Sequence, residues 1–136
     1  MSHVFLLRHG LTVSYGCYCG STDVALREEG WRQLWAAVDG YAWQRILSSP
    51  LRRCADFAAA RRRERSSWMP RARVLPLWQE LVTGNAADRV LMVRHGGPMR
   101  ILWAKIISQP PTRLLEIEVS YAALWDTRAL RSATTQ

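Results

Sequence analysis

Apolar residues fall along this chain in short continuous runs, separated by stretches where they recur every three or four positions. Val4–Leu7 and Val90–Val93 are runs of strand length, apolar at every position, as expected of strands covered on both faces. Glu28 to about Val38 opens with acidic residues and continues with helical spacing, which predicts a helix. Arg45–Leu47 reads as a short strand ended by Ser48-Ser49-Pro50, and Leu51 to about Arg63 as a second helix. Arg73–Leu75 is a further candidate strand. Pro98 to about Ile107 predicts a helix with proline in its first turn, stopped by Gln109-Pro110-Pro111. Leu115–Val119 and Ala122–Trp125 read as a closing pair of strands, with a tail after Ala129 expected to fray. A glycine-containing loop runs from Gly10 to about Ala25. Strands alternating with helices predict an α/β fold, a three-layer α/β/α sandwich around a mainly parallel sheet. No linker interrupts the pattern, so residues 1–136 are expected to form a single domain.

Size and composition narrow the class. The chain has 136 residues, 49% of them hydrophobic, enough for a proper core. No apolar run approaches the ~20 residues that span a bilayer. The start, Met1 to Arg8, lacks a basic leader and a long apolar stretch, and the expected location is the cytoplasm. Cys17, Cys19 and Cys54 have neither disulfide-framework nor zinc spacing, and read as reduced thiols. The formal net charge is +8, carried almost wholly by arginine, with Lys105 the one lysine. The densest run, Arg61-Arg62-Arg63-Glu64-Arg65, has no interleaved aromatics and no nucleic-acid motif beside it. A solvated helix end accounts for it better than a nucleic-acid partner.

One internal echo changes the picture. Val4-Phe5-Leu6-Leu7-Arg8-His9-Gly10 and Val90-Leu91-Met92-Val93-Arg94-His95-Gly96 are both apolar strands ending in Arg-His-Gly. Ligands of open α/β sheets bind beyond the carboxyl ends of the strands. If the two strands are neighbours, His9 and His95 meet there. A neutral imidazole is a competent nucleophile toward phosphorus, and arginine forks match phosphate oxygens. A glycine after each histidine permits close backbone approach. An added acid for the leaving alkoxide would complete metal-free phosphoryl transfer. A nucleotide-binding Gly-x-x-x-x-Gly-Lys-Ser/Thr loop is missing from the sequence.

The ordered set of motifs resembles the histidine phosphatase superfamily, which includes cofactor-dependent phosphoglycerate mutases. The matching stretches are Leu7-Arg8-His9-Gly10-x-Thr12, Ser49-Pro50-Leu51-Arg52-Arg53-Cys54-Ala55-Asp56-Phe57-Ala58, Trp78-Gln79-Glu80-Leu81-Val82-Thr83-Gly84 and His95-Gly96-Gly97-x-x-Arg100. Within the superfamily, Tyr18 to Gly30 is most similar to the α-ribazole phosphatase branch, which acts in cobalamin synthesis. The resemblance implies a reduced phosphoglycerate mutase-like fold and no metal or other cofactor. It assigns His9 as nucleophile and Glu80 as acid and later base. Arg8, Arg53 and His95 form the phosphate pocket, Gly96 lies beside it, and Thr22 reaches phosphate or substrate. The implied partner is a small phosphorylated substrate. His3 has no such match and is expected at the surface.

The sequence departs from the family pattern at four places. Tyr15 stands where an asparagine is common, Phe57 replaces a threonine after the pocket arginine, and Arg94 replaces a small residue before the second histidine. The fourth departure is a deletion. Only Asn85 to Arg89 separate Gly84 from Val90, where the family carries some dozens of cap-building residues. The deletion implies an open site. Three readings therefore stand side by side: a small-molecule phosphatase of the α-ribazole phosphate type, a phosphohistidine protein phosphatase with an open site, and a catalytically weak binding or scaffold relative.

Overall fold

The computed structural model describes residues 2–14, 23–61, 74–84, 87–108 and 117–134. Strand β1 (His3–Arg8) lies in the middle of a four-stranded sheet. It pairs in parallel with β3 (Arg89–Arg94), in a register that sets His3 opposite Arg89 and Arg8 opposite Arg94. Strand β2 (Arg45–Ser48) pairs in parallel with the far side of β3. Strand β4 (Leu124–Asp126) closes the other edge, antiparallel to β1. The order is therefore β2-β3-β1-β4.

The all-apolar runs in β1 and β3 follow from coverage on both faces. Successive side chains of a strand point to opposite sides. Val4, Leu6, Val90 and Met92 pack on one side against Leu77, Trp78, Leu81 and Val82 of helix α3 (Val74–Thr83) and Met99 and Leu102 of helix α4 (Gly96–Ile106). Phe5, Leu7, Leu91 and Val93 pack on the other against Leu34 and Val38 of helix α1 (Glu28–Val38) and Cys54, Phe57 and Ala58 of helix α2 (Arg52–Arg61). Three α/β/α layers result, as the sequence pattern led one to expect. Phe57, the departure from a family threonine, is a fully buried core residue between Trp31 and Trp35. Truncating such a ring to alanine costs about 3–5 kcal/mol.

Local signals explain the element ends. Glu28 and Glu29 sit in the first turn of α1, where the helix dipole favours negative charge. The helix ends at Asp39, and Gly40 follows with φ of 80°, the left-handed position glycine tolerates best. Gly30, in the first turn of α1, packs directly on the loop after β1. A Cβ there would lie 2.1 Å from the Leu11 carbonyl oxygen, and one on Gly10 would lie 2.3 Å from that of Gly30. Gly10 therefore makes room for a helix, which is a different role from approaching an anion.

Four local expectations need correction. Val74 and Leu75, expected in a strand, open helix α3; Arg73 lies outside the described residues. The apolar positions Leu77, Trp78, Leu81 and Val82 have helical spacing, and it overrides the strand-like start. The closing pair of strands reduces to β4: Ile117–Val119 is not a strand, and 115–116 lie outside the described residues. The tail does not fray at Ala129, because helix α5 (Thr127–Thr134) follows β4 directly. Asp126 Oδ1 caps it, accepting the backbone N–H groups of Arg128 and Ala129 at 2.9 and 3.3 Å. The buried Thr127 hydroxyl donates to the Val4 carbonyl at 2.8 Å. His3, expected at the surface, is half-buried and lies 2.6 Å from the same Asp126 Oδ1. Among the described residues no helix is long and apolar enough to cross a membrane.

Candidate active site

The parallel register of β1 and β3 brings the two Arg-His-Gly ends side by side. The His9 N–H donates to the Arg94 carbonyl at 3.2 Å, and the His9 and His95 rings meet edge to face with centroids 5.5 Å apart. His9 is buried, and its Nδ1 is 2.8 Å from the Gly10 carbonyl oxygen. A carbonyl only accepts, so Nδ1 carries the proton and Nε2 keeps its lone pair. Burial pulls the His9 pKa down to about 4; the Gly10 carbonyl opposes this, and the Arg8 and Arg53 cations reinforce it. Burial likewise takes His95 to about 3, helped by Arg53, His9, Arg94 and Arg8. Both imidazoles are therefore neutral near pH 7.

The arginines come from three elements. Arg8 is the last residue of β1. Its Nη1 donates to the Val119 carbonyl, and its guanidinium lies 4.3 Å above the Tyr121 ring. Among the described residues no acceptor meets its buried Nε. Burial lowers the Arg8 pKa from its ordinary value, Arg100 adds to this, and Tyr121 counteracts it. Arg53 is buried in the first turn of α2 and acts electrostatically on both histidines. Arg94 is buried at the end of β3.

Helix α4 begins at Gly96, with His95 as its N-cap. A Cβ on Gly96 would lie 3.2 Å from Arg100 Nη1 and 3.4 Å from Arg8 Nε, so the glycine leaves room for two guanidinium groups. Arg100 is anchored in turn by its Nε, which donates to the Ile117 carbonyl at 2.8 Å. The helix N-terminus adds its own preference for an anion.

His95 Nε2 is hydrogen-bonded to the Ser49 hydroxyl at 2.8 Å, and that hydroxyl accepts the Leu51 N–H at 3.3 Å. The Cys54 thiol lies 3.8 Å from the His95 ring, but burial pushes its pKa up to about 12, which removes it as a nucleophile. Tyr121 flanks His9 from the other side, ring centroids 6.0 Å apart. Ser49, Cys54 and Tyr121 were not singled out as site residues from the sequence. Ser49 and Cys54 both fall in the stretch that opens Ser-Pro-Leu, whereas Tyr121 lies in no matched motif.

Two site expectations fall differently. Thr22, with Tyr15, lies outside the described residues. Glu80 is not brought to the histidines. It is exposed in the last turn of α3, and the next residue's carbonyl, that of Leu81, accepts the Ser2 N–H at 2.9 Å, ahead of β1. His9 follows the far end of that strand, beyond His3–Arg8. At ~3.3 Å per residue the strand separates the two places by on the order of 20 Å. The helical packing of α3 is the physical reason, since Leu77, Trp78 and Leu81 fix which face Glu80 can occupy.

Comparison with known proteins decides the family. The family model for the histidine phosphatase superfamily (branch 1) matches residues 4–70 and 69–129. The chain belongs to that superfamily. Its fold is shared with phosphoserine phosphatase from Entamoeba histolytica, at a TM-score of 0.75 and 17% identity over 91% of this chain and 89% of that one. A candidate α-ribazole-5′-P phosphatase from Escherichia coli gives 0.73 and 18%, over 90% and 88%. The candidate phosphohistidine phosphatase SixA from Agrobacterium tumefaciens gives 0.61 and 20%, over 91% and 90%. Comparison with curated protein sequences gives no significant match. The two Arg-His-Gly strand ends of this chain lie side by side, while Glu80 sits at the other end of the sheet.

Proposed function

We propose that this protein is a phosphatase that hydrolyses a phosphate monoester through a phosphohistidine on His9. The observation that carries the reading is the state of His9: a buried, neutral ring with Nδ1 committed to the Gly10 carbonyl and Nε2 left as nucleophile beside His95. Arg8 and Arg53 supply positive charge for the phosphoryl oxygens, and the buried Arg8 Nε is a donor in want of an acceptor. The start of α4 at Gly96 contributes backbone N–H groups beside it. In this reading His95, held by Ser49, hydrogen-bonds the same group. Charge stabilisation in this scheme comes from arginine and imidazole, so turnover should survive chelators. α-Ribazole 5′-phosphate is the first substrate to test, on the strength of the Tyr18–Gly30 segment; the similar fold of the Escherichia coli protein agrees with it. The test is rapid-quench trapping during turnover. An acid-labile, base-stable phosphoryl group on the wild type and none on His9→Ala is the expected result. Unchanged turnover in His9→Ala would overturn the reading.

A further inference from the structure

Phosphoryl transfer to His9 leaves an alkoxide that needs a proton, and the structure does not bring Glu80 to it. Other described carboxylates are committed or turned outward. Asp23 accepts the Arg52 backbone N–H at 2.7 Å, Asp56 pairs with the Arg52 side chain, and Asp126, opposite Phe5 of β1, caps α5 and lies against His3. Glu118 is exposed. Tyr121, by contrast, stands against the nucleophile with its ring under the Arg8 guanidinium.

The chain is bent to put it there. The Ala122 N–H donates to the His9 carbonyl at 3.1 Å, and the Arg8 N–H donates to the Ala123 carbonyl at 3.0 Å. These bonds tie the turn to the two residues that carry the chemistry. Ala122, buried between them, has φ of 58°, in the left-handed region that a non-glycine residue occupies only when its surroundings enforce it. Strain of this kind, stored beside a nucleophile, points to a residue whose position matters.

Taking the phosphatase reading as its basis, we propose that the Tyr121 phenol is the proton donor to the leaving group and the base for the second step. In the first step His9 Nε2 forms a bond to phosphorus, the P–O bond to the leaving oxygen breaks, and the Tyr121 hydroxyl proton passes to that oxygen. The products are the alcohol, phosphohistidine and a tyrosinate beside the Arg8 cation. In the second step water adds to phosphorus, the N–P bond breaks and a water proton returns to Tyr121. Phosphate and the starting enzyme result.

The test compares wild type, Tyr121→Phe, Glu118→Gln and His9→Ala on monoesters running from p-nitrophenyl phosphate to simple alkyl phosphates. Phenylalanine keeps the ring against His9 and under Arg8 and loses only the hydroxyl with its hydrogen bond to Arg8, so melting temperature should fall by no more than about 5 °C. Tyr121→Phe should slow alkyl phosphates ~100-fold and p-nitrophenyl phosphate less than ~5-fold, because a good leaving group needs no acid. Its rate should therefore depend more steeply on leaving-group pKa than that of the wild type. Equal slowing of both esters, slowing of neither, or a selective alkyl loss in Glu118→Gln instead would overturn the Tyr121 role while leaving the phosphatase intact. A wild type no more active than His9→Ala on every ester would overturn the phosphatase reading itself.

Discussion

At the scale of single residues, the decisive property of the site is that two adjacent imidazoles are neutral. Burial beside Arg8 and Arg53 puts His9 at about 4 and His95 at about 3. Side-chain nitrogen NMR of the ligand-free protein should therefore show His9 as the Nδ1–H tautomer from pH 8 down to about 5, with no titration near its ordinary value. A midpoint near 6.5 would contradict the buried site. The same shift bears on stability. The unfolded chain takes up protons as pH falls through 6.5, and the folded chain takes them up at His9 only near 4. Stability is thus lost progressively between those two values, by on the order of 3 kcal/mol for His9. Urea midpoints measured against pH should fall less steeply over this window in His9→Ala. The histidines were legible because each ends an apolar run in the same tripeptide. Tyr121 and Cys54 were not, since nothing local marks a tyrosine after Ser120 or a cysteine in α2 as neighbours of a strand end; only the packing of distant segments does.

At the scale of elements, helix α3 shows where motif and periodicity compete. The stretch Trp78–Gly84 resembles a catalytic segment, but its apolar positions are those of a helix laid on the sheet, with Trp78 and Leu81 inward and Glu80 outward. The periodic signal was present in the sequence and agrees with the packing of α3. Glu80→Gln should accordingly change stability by less than ~0.5 kcal/mol and alkyl phosphate turnover by less than about twofold. A loss confined to alkyl esters would return Glu80 to the acid role. The junction of α1 with the loop after β1 makes the opposite case, where one methyl group matters. A Cβ on Gly30 would collide with the Leu11 backbone, and no flexible side chain can move to relieve it. Gly30→Ala should cost at least about 1–3 kcal/mol, read as a lowered urea midpoint, and should disturb His9 through Gly10 and Leu11. An unchanged midpoint would mean that α1 can shift along the sheet without penalty. The sequence marked Gly30 as part of a motif but not as a contact, because its partner lies in a loop some twenty residues earlier.

At the scale of the whole molecule, sheet order explains why the site lies where it does. β1 and β3 are separated by two helical crossovers in sequence yet adjacent in space, and their carboxyl ends form the crevice. That much followed from the repeated tripeptide and the alternation of strands and helices, and the edge strand from the apolar run Ala122–Trp125; helix α5 directly after it did not, because the sequence reading ended in a frayed tail. Charge acts at this scale as well. The chain carries a formal net charge of +8, and Arg8, Arg53, Arg94 and Arg100 gather around the two histidines at the carboxyl ends of β1 and β3. A phosphate monoester is a dianion near neutral pH, so this field should concentrate it at the mouth of the site. The Debye length falls from ~30 Å at 0.01 M to ~8 Å at 0.15 M ionic strength. Over that range kcat/KM should drop about tenfold while kcat stays level, since screening weakens capture of free substrate but not the short-range contacts made once it is bound. Measuring both constants in chloride and in a larger, weakly bound anion at equal ionic strength separates screening from competition for the arginines. A kcat/KM indifferent to salt would show that the positive charge is spread over the surface instead of being focused on His9.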